Sequence, residues 1–263
     1  MRKFEIPEYY RSPIIAEIKR RRKESDPRKV DYSPTILNFG SVVFRIARHF
    51  GFCFGVENAI ETAYRIIDEN PAKRIFLLSE MIHNPGVNKD LQERGVKFIK
   101  ETDGTQIIPW EELTAENIVI IPAFGTTLET ENKLKEIGLD TVKYDTTCPF
   151  VEKVWNRAAS LGDEDYTVVI HGKANHEETR ATFSHSASNG KSLIVRNLEE
   201  TKFLAEAILG KVAETEFYEF FTGRHSDGFD FKSDLTKVGV VNQTTMLASE
   251  TEAIADYLKE TMM

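Results

Sequence analysis

Two cysteines stand in matching surroundings, 95 positions apart in the chain. Residues 53–57 and 148–152 both follow the pattern Cys-x-x-Val-Glu, and each pattern lies between a predicted strand and a predicted helix. The N–H groups at a helix N-terminus stabilise anions, so this position favours the thiolate that binds metals and clusters. A single free cysteine is usually a small buried side chain, but the repetition of Cys53 at the equivalent Cys148 favours a function.

Histidines follow the two cysteines at similar spacing. His83 lies 30 residues after Cys53, and His176 lies 28 residues after Cys148. Imidazole, ammonium and hydroxyl groups at the end of a strand donate to anionic oxygens, which suits a phosphate or a diphosphate. A carboxylic acid in the segment 176–178 could deliver a proton beside them. Solvated or packed side chains are the interpretation for His49, His185 and His225.

Two other chemistries use the same residue types. Two cysteines and two histidines could form a tetrahedral zinc site, although the close C-x₂₋₄-C spacing of structural zinc modules is missing. A cysteine nucleophile with a histidine base is a further alternative, but it leaves the duplication of the cysteine unexplained.

The apolar pattern predicts a scaffold that brings strand ends together. From residue 41 onward, short β-branched runs alternate with helical periods, which is typical of an α/β fold with a largely parallel sheet. Residues 120–127 and 238–245 each end a strand in a Thr-Thr turn. Together with the two cysteine patterns, this indicates a duplicated domain. The predicted strands are 41–47, 74–78, 96–99, 117–121, 141–144, 166–170, 192–195 and 237–241, and the predicted helices are 56–70, 128–137, 150–161, 198–209 and 249–261.

The repeat divides the chain into three parts. Residues 1–40 form a basic N-terminal arm with a net charge of +4, whereas the remaining residues carry −12. Residues 41–140 form the first α/β repeat with Cys53, and residues 141–263 form the second with Cys148. The second repeat carries a predicted insertion near residues 211–235. The five basic residues at 19–23 are interpreted as a solvated helix face.

Composition excludes several classes of protein. The chain has 263 residues, 41% of them hydrophobic, and its net charge of −8 argues against a protein that coats nucleic acid. Two cysteines are too few for a disulfide scaffold. The sequence has neither an apolar run of roughly 18 residues nor a secretory h-region, so we expect a cytoplasmic protein without membrane partners. The acidic net charge leads us to expect no nucleic-acid partner either.

Five motifs in order resemble those of the 4-hydroxy-3-methylbut-2-enyl diphosphate reductases. The motifs are at residues 51–57, 82–84, 145–149, 176–178 and 242–246, and the resemblance runs from about Phe44 to the end of the chain. The basic arm and the amino-acid sequence of residues 122–127 resemble those of the longer subgroup found in plants, cyanobacteria and some other bacteria.

The resemblance implies a fold and a reaction. The family has three similar α/β domains with mostly parallel sheets, pseudo-symmetric around a central 4Fe–4S cluster to which each domain gives one cysteine. The cluster binds the substrate hydroxyl, and two electrons and two protons remove this hydroxyl as water. The products are isopentenyl and dimethylallyl diphosphate, made for isoprene biosynthesis by the non-mevalonate pathway. The implied electron donor is a protein such as ferredoxin or flavodoxin.

The resemblance also implies a role for individual residues. Cys53 and Cys148 are the expected metal ligands of the cluster. His83 and His176 are expected to bind the diphosphate of the allylic substrate. Glu178 is expected on the path of proton delivery, and Thr244 is expected to hydrogen-bond near the substrate hydroxyl.

Two departures from the family pattern shape these expectations. The short form of the family often has a diphosphate-binding histidine where this chain has Phe124. Two of the three family domains are expected here, so the third cysteine ligand is expected to be absent and the activity incomplete. The alternative function is a non-catalytic two-domain remnant that binds a diphosphate or a partner.

Overall fold

The computed structural model describes residues 12–28, 30–48 and 50–263, so His49 and the first part of the predicted arm lie outside the described residues. The helices in the described ranges are α1 (Pro13–Ser25), α2 (Phe54–Glu69), α3 (Pro85–Glu93), α4 (Leu128–Ile137), α5 (Pro149–Asp163), α6 (Glu177–Ala187), α7 (Leu198–Ile208), α8 (Glu214–Phe220) and α9 (Ala248–Met262), with a 3-10 turn at Trp110–Glu112. The strands there are β1 (Thr35–Asn38), β2 (Val43–Ile46), β3 (Ile75–Leu77), β4 (Lys97–Phe98), β5 (Ile118–Ile120), β6 (Thr167–His171), β7 (Ser192–Val195) and β8 (Val238–Asn242). Across these ranges, every helix is too short or too polar to cross a bilayer.

Two parallel three-stranded sheets share the same strand order. The first sheet has the order β4-β3-β5 and the second has β7-β6-β8, and all strand pairs in both are parallel. The helices repeat as well, since α2, α3 and α4 take the places that α5, α6 and α9 take in the second cycle. The predicted α/β architecture with mostly parallel sheets is therefore confirmed.

Each sheet is buried between helices because its strands are apolar on both faces. All three residues of β3 and all five of β6 are buried. Helix α2 covers the first sheet with a stripe of side chains at helical spacing, among them Ala59, Ile60 and Ala63. Helix α4 has the bounds that its sequence predicts, because the Thr127 side chain caps its first turn and Gly138 follows its last residue.

The predicted strand at residues 41–47 has a different role from the one its apolar pattern indicated. Its central part, β2, pairs antiparallel with β1 in a hairpin outside both parallel sheets. Ile36, Val43 and Phe44 are about half exposed in this hairpin. A run of β-branched residues fits a hairpin as well as a buried strand, so the pattern alone does not separate the two.

The predicted strand at residues 141–144 is wrong. These residues form a turn, and a single parallel bridge between Ile121 and Asp145 remains. The side chain of Asp140 accepts hydrogen bonds from the backbone N–H groups of Val142 and Lys143, at 3.1 and 2.9 Å. This local side-chain cap stabilises a turn and overrides the strand propensity of the sequence.

The stretch 211–235, predicted as an insertion, is part of the core of the second repeat. It contains α8, and Phe217 and Phe221 from this region are fully buried with Phe229 beside them. These rings pack in one hydrophobic cluster with side chains of β7 and α9. Three aromatic residues of the stretch, Phe217, Phe221 and Phe229, therefore belong to the buried core of the second repeat.

Candidate functional site

The two cysteines occupy equivalent positions in the two repeats. Cys53 is the N-cap residue of α2 and is exposed, whereas Cys148 is the N-cap residue of α5 and is 7% exposed. A Cβ added at Gly55 would overlap the Sγ atom of Cys148. The N-terminus of α2 therefore lies directly on the thiol of the other repeat, and only glycine allows this approach.

The loop before Cys148 is fixed by its own side chains. Asp145 Oδ1 accepts hydrogen bonds from the N–H and hydroxyl groups of Thr147, at 2.8 and 2.6 Å. The hydroxyl of Thr146 donates to the carbonyl oxygen of Ile121. The backbone N–H of Cys148 donates to the carbonyl oxygen of Ala123 at 2.9 Å, so the cysteine is bound to the loop after β5.

The same loop leads from Cys148 to the predicted histidines. Phe124 follows Ala123, and its ring stacks on His83 with 4.4 Å between ring centroids. The Nε2 atoms of His83 and His176 are 3.0 Å apart, so the two repeats meet at this histidine pair. The structure thus brings His83 and His176 together beside Phe124.

The hydrogen bonds of this pair define its tautomers. His176 Nδ1 accepts from the backbone N–H of Glu178, so a neutral His176 carries its proton on Nε2. That proton points at His83 Nε2, and His83 Nδ1 lies 3.2 Å from the Glu80 carboxylate. Burial lowers the pKa of His176 to about 4, and the cationic side chains of Lys173 and Arg180 act in the same direction. In this contact, the Nε2 proton of a neutral His176 therefore lies between the two Nε2 atoms.

Glu178 and Thr244 form the second predicted pair. The Glu178 carboxylate accepts from the backbone N–H of Thr244 at 2.5 Å and from its hydroxyl at 2.9 Å. Glu178 is only 1% exposed, and this burial raises the pKa of its carboxyl group. Thr244 is exposed, so its hydroxyl stands between the buried carboxyl group and the outside of the protein.

Gln243 holds this pair in place, a role that the sequence did not reveal. Its Oε1 atom accepts from the hydroxyl of Thr179 at 3.0 Å and from the backbone N–H of Lys173 at 3.1 Å, and its Nε2 atom donates to Thr245 at 2.6 Å. Thr179 follows Glu178 and Gln243 precedes Thr244, so this buried amide fixes the start of α6 against the turn after β8. The sequence signal that could have revealed this role is the position of Gln243 inside the motif at residues 242–246.

Glu177 is a further buried carboxyl group beside the histidines. It is 8% exposed, and burial raises its pKa to about 7. It borders a cavity of about 710 Å³ at the carboxyl edge of the first sheet, which Lys100 and Arg180 also line. Arg180 donates to the backbone carbonyls of Thr102 and Asp103, so α6 of the second repeat also holds a loop of the first.

The other histidines in the described ranges have structural contacts. The ring of His185 stacks on Trp155 at 3.8 Å between centroids, and its Nε2 atom lies 3.1 Å from the carbonyl oxygen of Thr126. His225 packs its ring edge-on against Tyr218. His171 is fully buried at the end of β6 and contacts the hydroxyl of Thr251 at 2.8 Å.

The thiol pair has the chemistry that an iron–sulfur cluster needs. Thiolates are the usual ligands of such clusters, and both cysteines stand at helix N-termini. Gly55 leaves room for the Cys148 thiol, since the Cβ atom of any other residue would overlap its Sγ atom. Within the described ranges, no group of three His, Cys, Asp or Glu side chains gathers as a metal site, so the alternative zinc site is not formed there.

Comparison with protein families and curated proteins gives a consistent match. Residues 44–263 match the family model described as LytB protein. The chain is 43% identical over 227 residues to the 4-hydroxy-3-methylbut-2-enyl diphosphate reductase of a Synechococcus strain, which covers 86% of this chain and 55% of that protein. It is 41% identical over 254 residues to the reductase of the same name from Trichormus variabilis, which covers 97% of this chain and 58% of that protein. The chain thus spans little more than half the length of these relatives.

Solved structures give the same fold. A structure described as (E)-4-hydroxy-3-methyl-but-2-enyl diphosphate reductase, the terminal enzyme of the non-mevalonate pathway, superposes with a TM-score of 0.57 and 27% identity over 80% of this chain and 61% of the other. A reductase structure from Plasmodium falciparum superposes with the same TM-score at 23% identity, which shows the fold alone.

Proposed function

This chain belongs to the LytB protein family, and from that premise we propose that it acts as a 4-hydroxy-3-methylbut-2-enyl diphosphate reductase. The reaction takes up two electrons and two protons, breaks the C–O bond of the allylic hydroxyl and releases water. Its products would be isopentenyl and dimethylallyl diphosphate. The observation that carries the proposal is the buried Glu178, which is hydrogen-bonded to the exposed Thr244 and lies two residues after the paired His176.

Cys53 and Cys148 are the proposed ligands of a 4Fe–4S cluster. When bound, the cluster would supply the electrons for the reduction. Gly55 supports this assignment because it removes the side chain that would otherwise fill the space at the Cys148 thiol. The exposed Cys53 and the nearly buried Cys148 give this site one open and one closed side.

His83 and His176 are the proposed diphosphate ligands. Each Nε2 atom must carry a proton to donate to an anionic oxygen, yet the pair shares one proton at 3.0 Å. Binding therefore separates the two rings and recruits a second proton to His83. The Glu80 carboxylate beside His83 Nδ1 stabilises the imidazolium that results.

Glu178 and Thr244 are the proposed route for the proton that leaves with the hydroxyl. Because Oε1 of Glu178 accepts from a backbone N–H, its added proton resides on Oε2, which faces the Thr244 hydroxyl. Thr244 can then accept from Glu178 and donate its own hydroxyl proton to the substrate oxygen. The proton moves from a buried acid to the exposed side without an ordered water.

The electrons would come from a small one-electron carrier such as ferredoxin or flavodoxin, with two reduced carriers oxidised in each turnover. We place the reaction in the cytoplasm, where thiols stay reduced and available to a cluster.

The function is tested by anaerobic reconstitution followed by assay with reduced methyl viologen and the allylic diphosphate. We expect bound iron, consumption of substrate and release of both products. Glu178→Gln should keep its iron but lower kcat by about 10²-fold or more, because the amide cannot donate the same proton. Glu216→Gln, an exposed change on α8, is the matched control.

Cys53→Ser separates the cluster assignment from the proton assignment. A hydroxyl replaces a thiolate poorly as an iron ligand, so iron content should fall together with activity. Unchanged iron in Cys53→Ser would remove the cysteine from the cluster site. Binding of diphosphate without iron or turnover in the unsubstituted protein would favour the non-catalytic alternative.

A further inference from the structure

The charge of the chain is divided between two regions. Residues 1–40 carry a net charge of +4, and the rest of the molecule carries −12. An acidic protein that approaches the molecule is therefore repelled by most of its surface and attracted to the arm. The position of the arm then decides which site such a partner would reach.

Helix α1 of the arm lies against the segment that presents Cys53. The ammonium group of Lys19 on α1 is 3.4 Å from the carboxylate of Glu57 on α2, four residues after Cys53. The same ammonium lies 5.4 Å from the ring centroid of Phe50, three residues before it. A Cβ added at Gly51 would also contact Lys19 Nζ. Helix α1 therefore packs beside the exposed cysteine.

Helix α1 and the β1–β2 hairpin form one fixed unit. Arg22 donates to the Asp31 carboxylate at 3.0 Å and to the carbonyl oxygen of Ser33 at 2.7 Å, just before β1. Arg48, just after β2, pairs with Asp26 at 3.3 Å, and both side chains are nearly buried. The basic residues of this unit are therefore held in a defined orientation beside Cys53.

Part of the basic charge is left for a partner. Glu17 and Glu24 pair with Arg20, and Glu17 also pairs with Arg21, so these charges are largely compensated within the helix.

Lys23 and Arg28 are exposed, and within the described ranges neither forms an ion pair. Lys23 lies one turn after Lys19, so both project from the same face of α1.

The centre of this region is apolar. Phe54, next to Cys53, is 73% exposed, although phenylalanine is usually buried. An exposed aromatic group with a charged rim is the arrangement of protein interfaces, and short-lived electron-transfer complexes use small interfaces of this kind.

From these contacts we propose that α1 and the segment around Cys53 form a docking surface for an acidic one-electron carrier protein. The proposal rests on the proposed function, since it names the partner that would deliver electrons at Cys53. Lys19, Lys23 and Arg28 form the basic rim, and Phe54 forms the apolar centre. Charge attraction steers the carrier to the Cys53 side, and the small contact lets it leave after each electron.

The test compares two double variants with equal change in charge. Lys23→Glu/Arg28→Glu reverses the rim, and Lys211→Glu/Lys259→Glu makes the same change on exposed positions of the second repeat. The probe is an acidic plant-type [2Fe–2S] ferredoxin, and its Kd is measured by calorimetry at low and at physiological salt. We expect the rim variant to raise the Kd at least fivefold at low salt, with less difference at high salt, and the control to change it by less than twofold.

A second measurement separates docking from catalysis. With reduced ferredoxin as donor, the rim variant should raise the KM for the carrier, whereas with methyl viologen its rate should equal that of the unsubstituted protein. Inactivity of the unsubstituted protein with viologen would reject the proposed function, and the calorimetry still decides the docking surface.

Three results would overturn the docking proposal. The first is an equal ferredoxin Kd in the rim and control variants. The second is tighter binding of a basic carrier such as cytochrome c. The third is rim-dependent binding of a DNA duplex or of anionic lipid vesicles in the absence of ferredoxin binding, which would assign the basic rim to that other partner.

Discussion

At the scale of single residues, the His83–His176 contact links ligand binding to proton uptake. The two Nε2 atoms are 3.0 Å apart, so only one of them can carry a proton in this contact, whereas both must donate one in the proposed diphosphate complex. The charged groups that act on the pair include the carboxyl groups of Glu80 and Glu178 together with Lys173 and Arg180, and the two cations favour a bound anion. Affinity for inorganic diphosphate should therefore fall as the pH rises.

This linkage predicts the uptake of about one proton for each diphosphate bound. Calorimetric titrations in buffers with different ionisation enthalpies measure that number directly. Glu80→Gln should weaken binding by about tenfold, since it removes the counter-ion of the His83 imidazolium. Glu93→Gln on α3 is the control, and equal affinities in the two variants would contradict the assigned tautomers.

Glu177 and His176 give opposite pH dependences to the stability of the fold. Burial raises the pKa of Glu177 from 4.5 to about 7, so between these pH values the folded protein binds more protons than the unfolded chain. The contribution of Glu177 to the unfolding free energy therefore falls as pH rises through this window. His176, with its pKa lowered from 6.5 to about 4, makes the unfolded chain the better proton binder, so its contribution rises with pH.

Glu177→Gln removes only the pH dependence that Glu177 contributes to the unfolding free energy and leaves that of His176 in place. Between pH 4.5 and 8 the variant should gain stability relative to the unsubstituted protein, by up to about 3 kcal/mol, because a shift of one pKa unit corresponds to about 1.4 kcal/mol. Urea unfolding across this pH range measures the difference, with the exposed Glu216→Gln as reference. A difference that stays constant with pH would show that Glu177 titrates near its ordinary value when folded.

At the scale of the elements, the sequence identifies helices with an apolar stripe and misses those without one. Helix α4 and strand β7 have the predicted bounds because caps or flanking polar residues mark their ends. Helix α6 was not predicted because its buried face is polar and includes Glu177, Glu178 and Thr179. The residues that give this helix its chemistry therefore remove the periodicity that reveals helices.

Helix α8 lies in a segment that the sequence presents as an insertion, and its packing predicts a strong structural role. Phe217 is fully buried, whereas Phe220, one turn later on the same helix, is 37% exposed. Phe217→Ala should lower the unfolding free energy by about 3–5 kcal/mol, and Phe220→Ala by roughly 1 kcal/mol. Thermal or urea unfolding tests both, and similar losses at the two positions would show that the helix packs loosely.

At the scale of the whole molecule, the proposed site lies where the two repeats meet. The sequence predicts each half of it, since the repeated cysteines and similarly spaced histidines stand at strand ends. It does not give the contacts between halves, because these depend on how two separate sheets approach one another. The Gly55–Cys148 contact, the stacking of Phe124 on His83 and the hold of Arg180 on a loop of the first repeat are all of this kind.

Gly55 tests that approach directly. In Gly55→Ala the new methyl group overlaps Sγ of Cys148, so either the thiol turns outward or the N-terminus of α2 moves away. Both outcomes expose a thiol that is now 7% exposed, and both spoil a site shared with Cys53. We expect faster alkylation of Cys148 in the cluster-free protein and at least a twofold loss of iron after reconstitution. Gly86→Ala, at an exposed position in α3, should alter neither the alkylation rate nor the iron content. If Gly55→Ala also leaves both quantities unchanged, the contact between the N-termini of α2 and α5 tolerates the added methyl group.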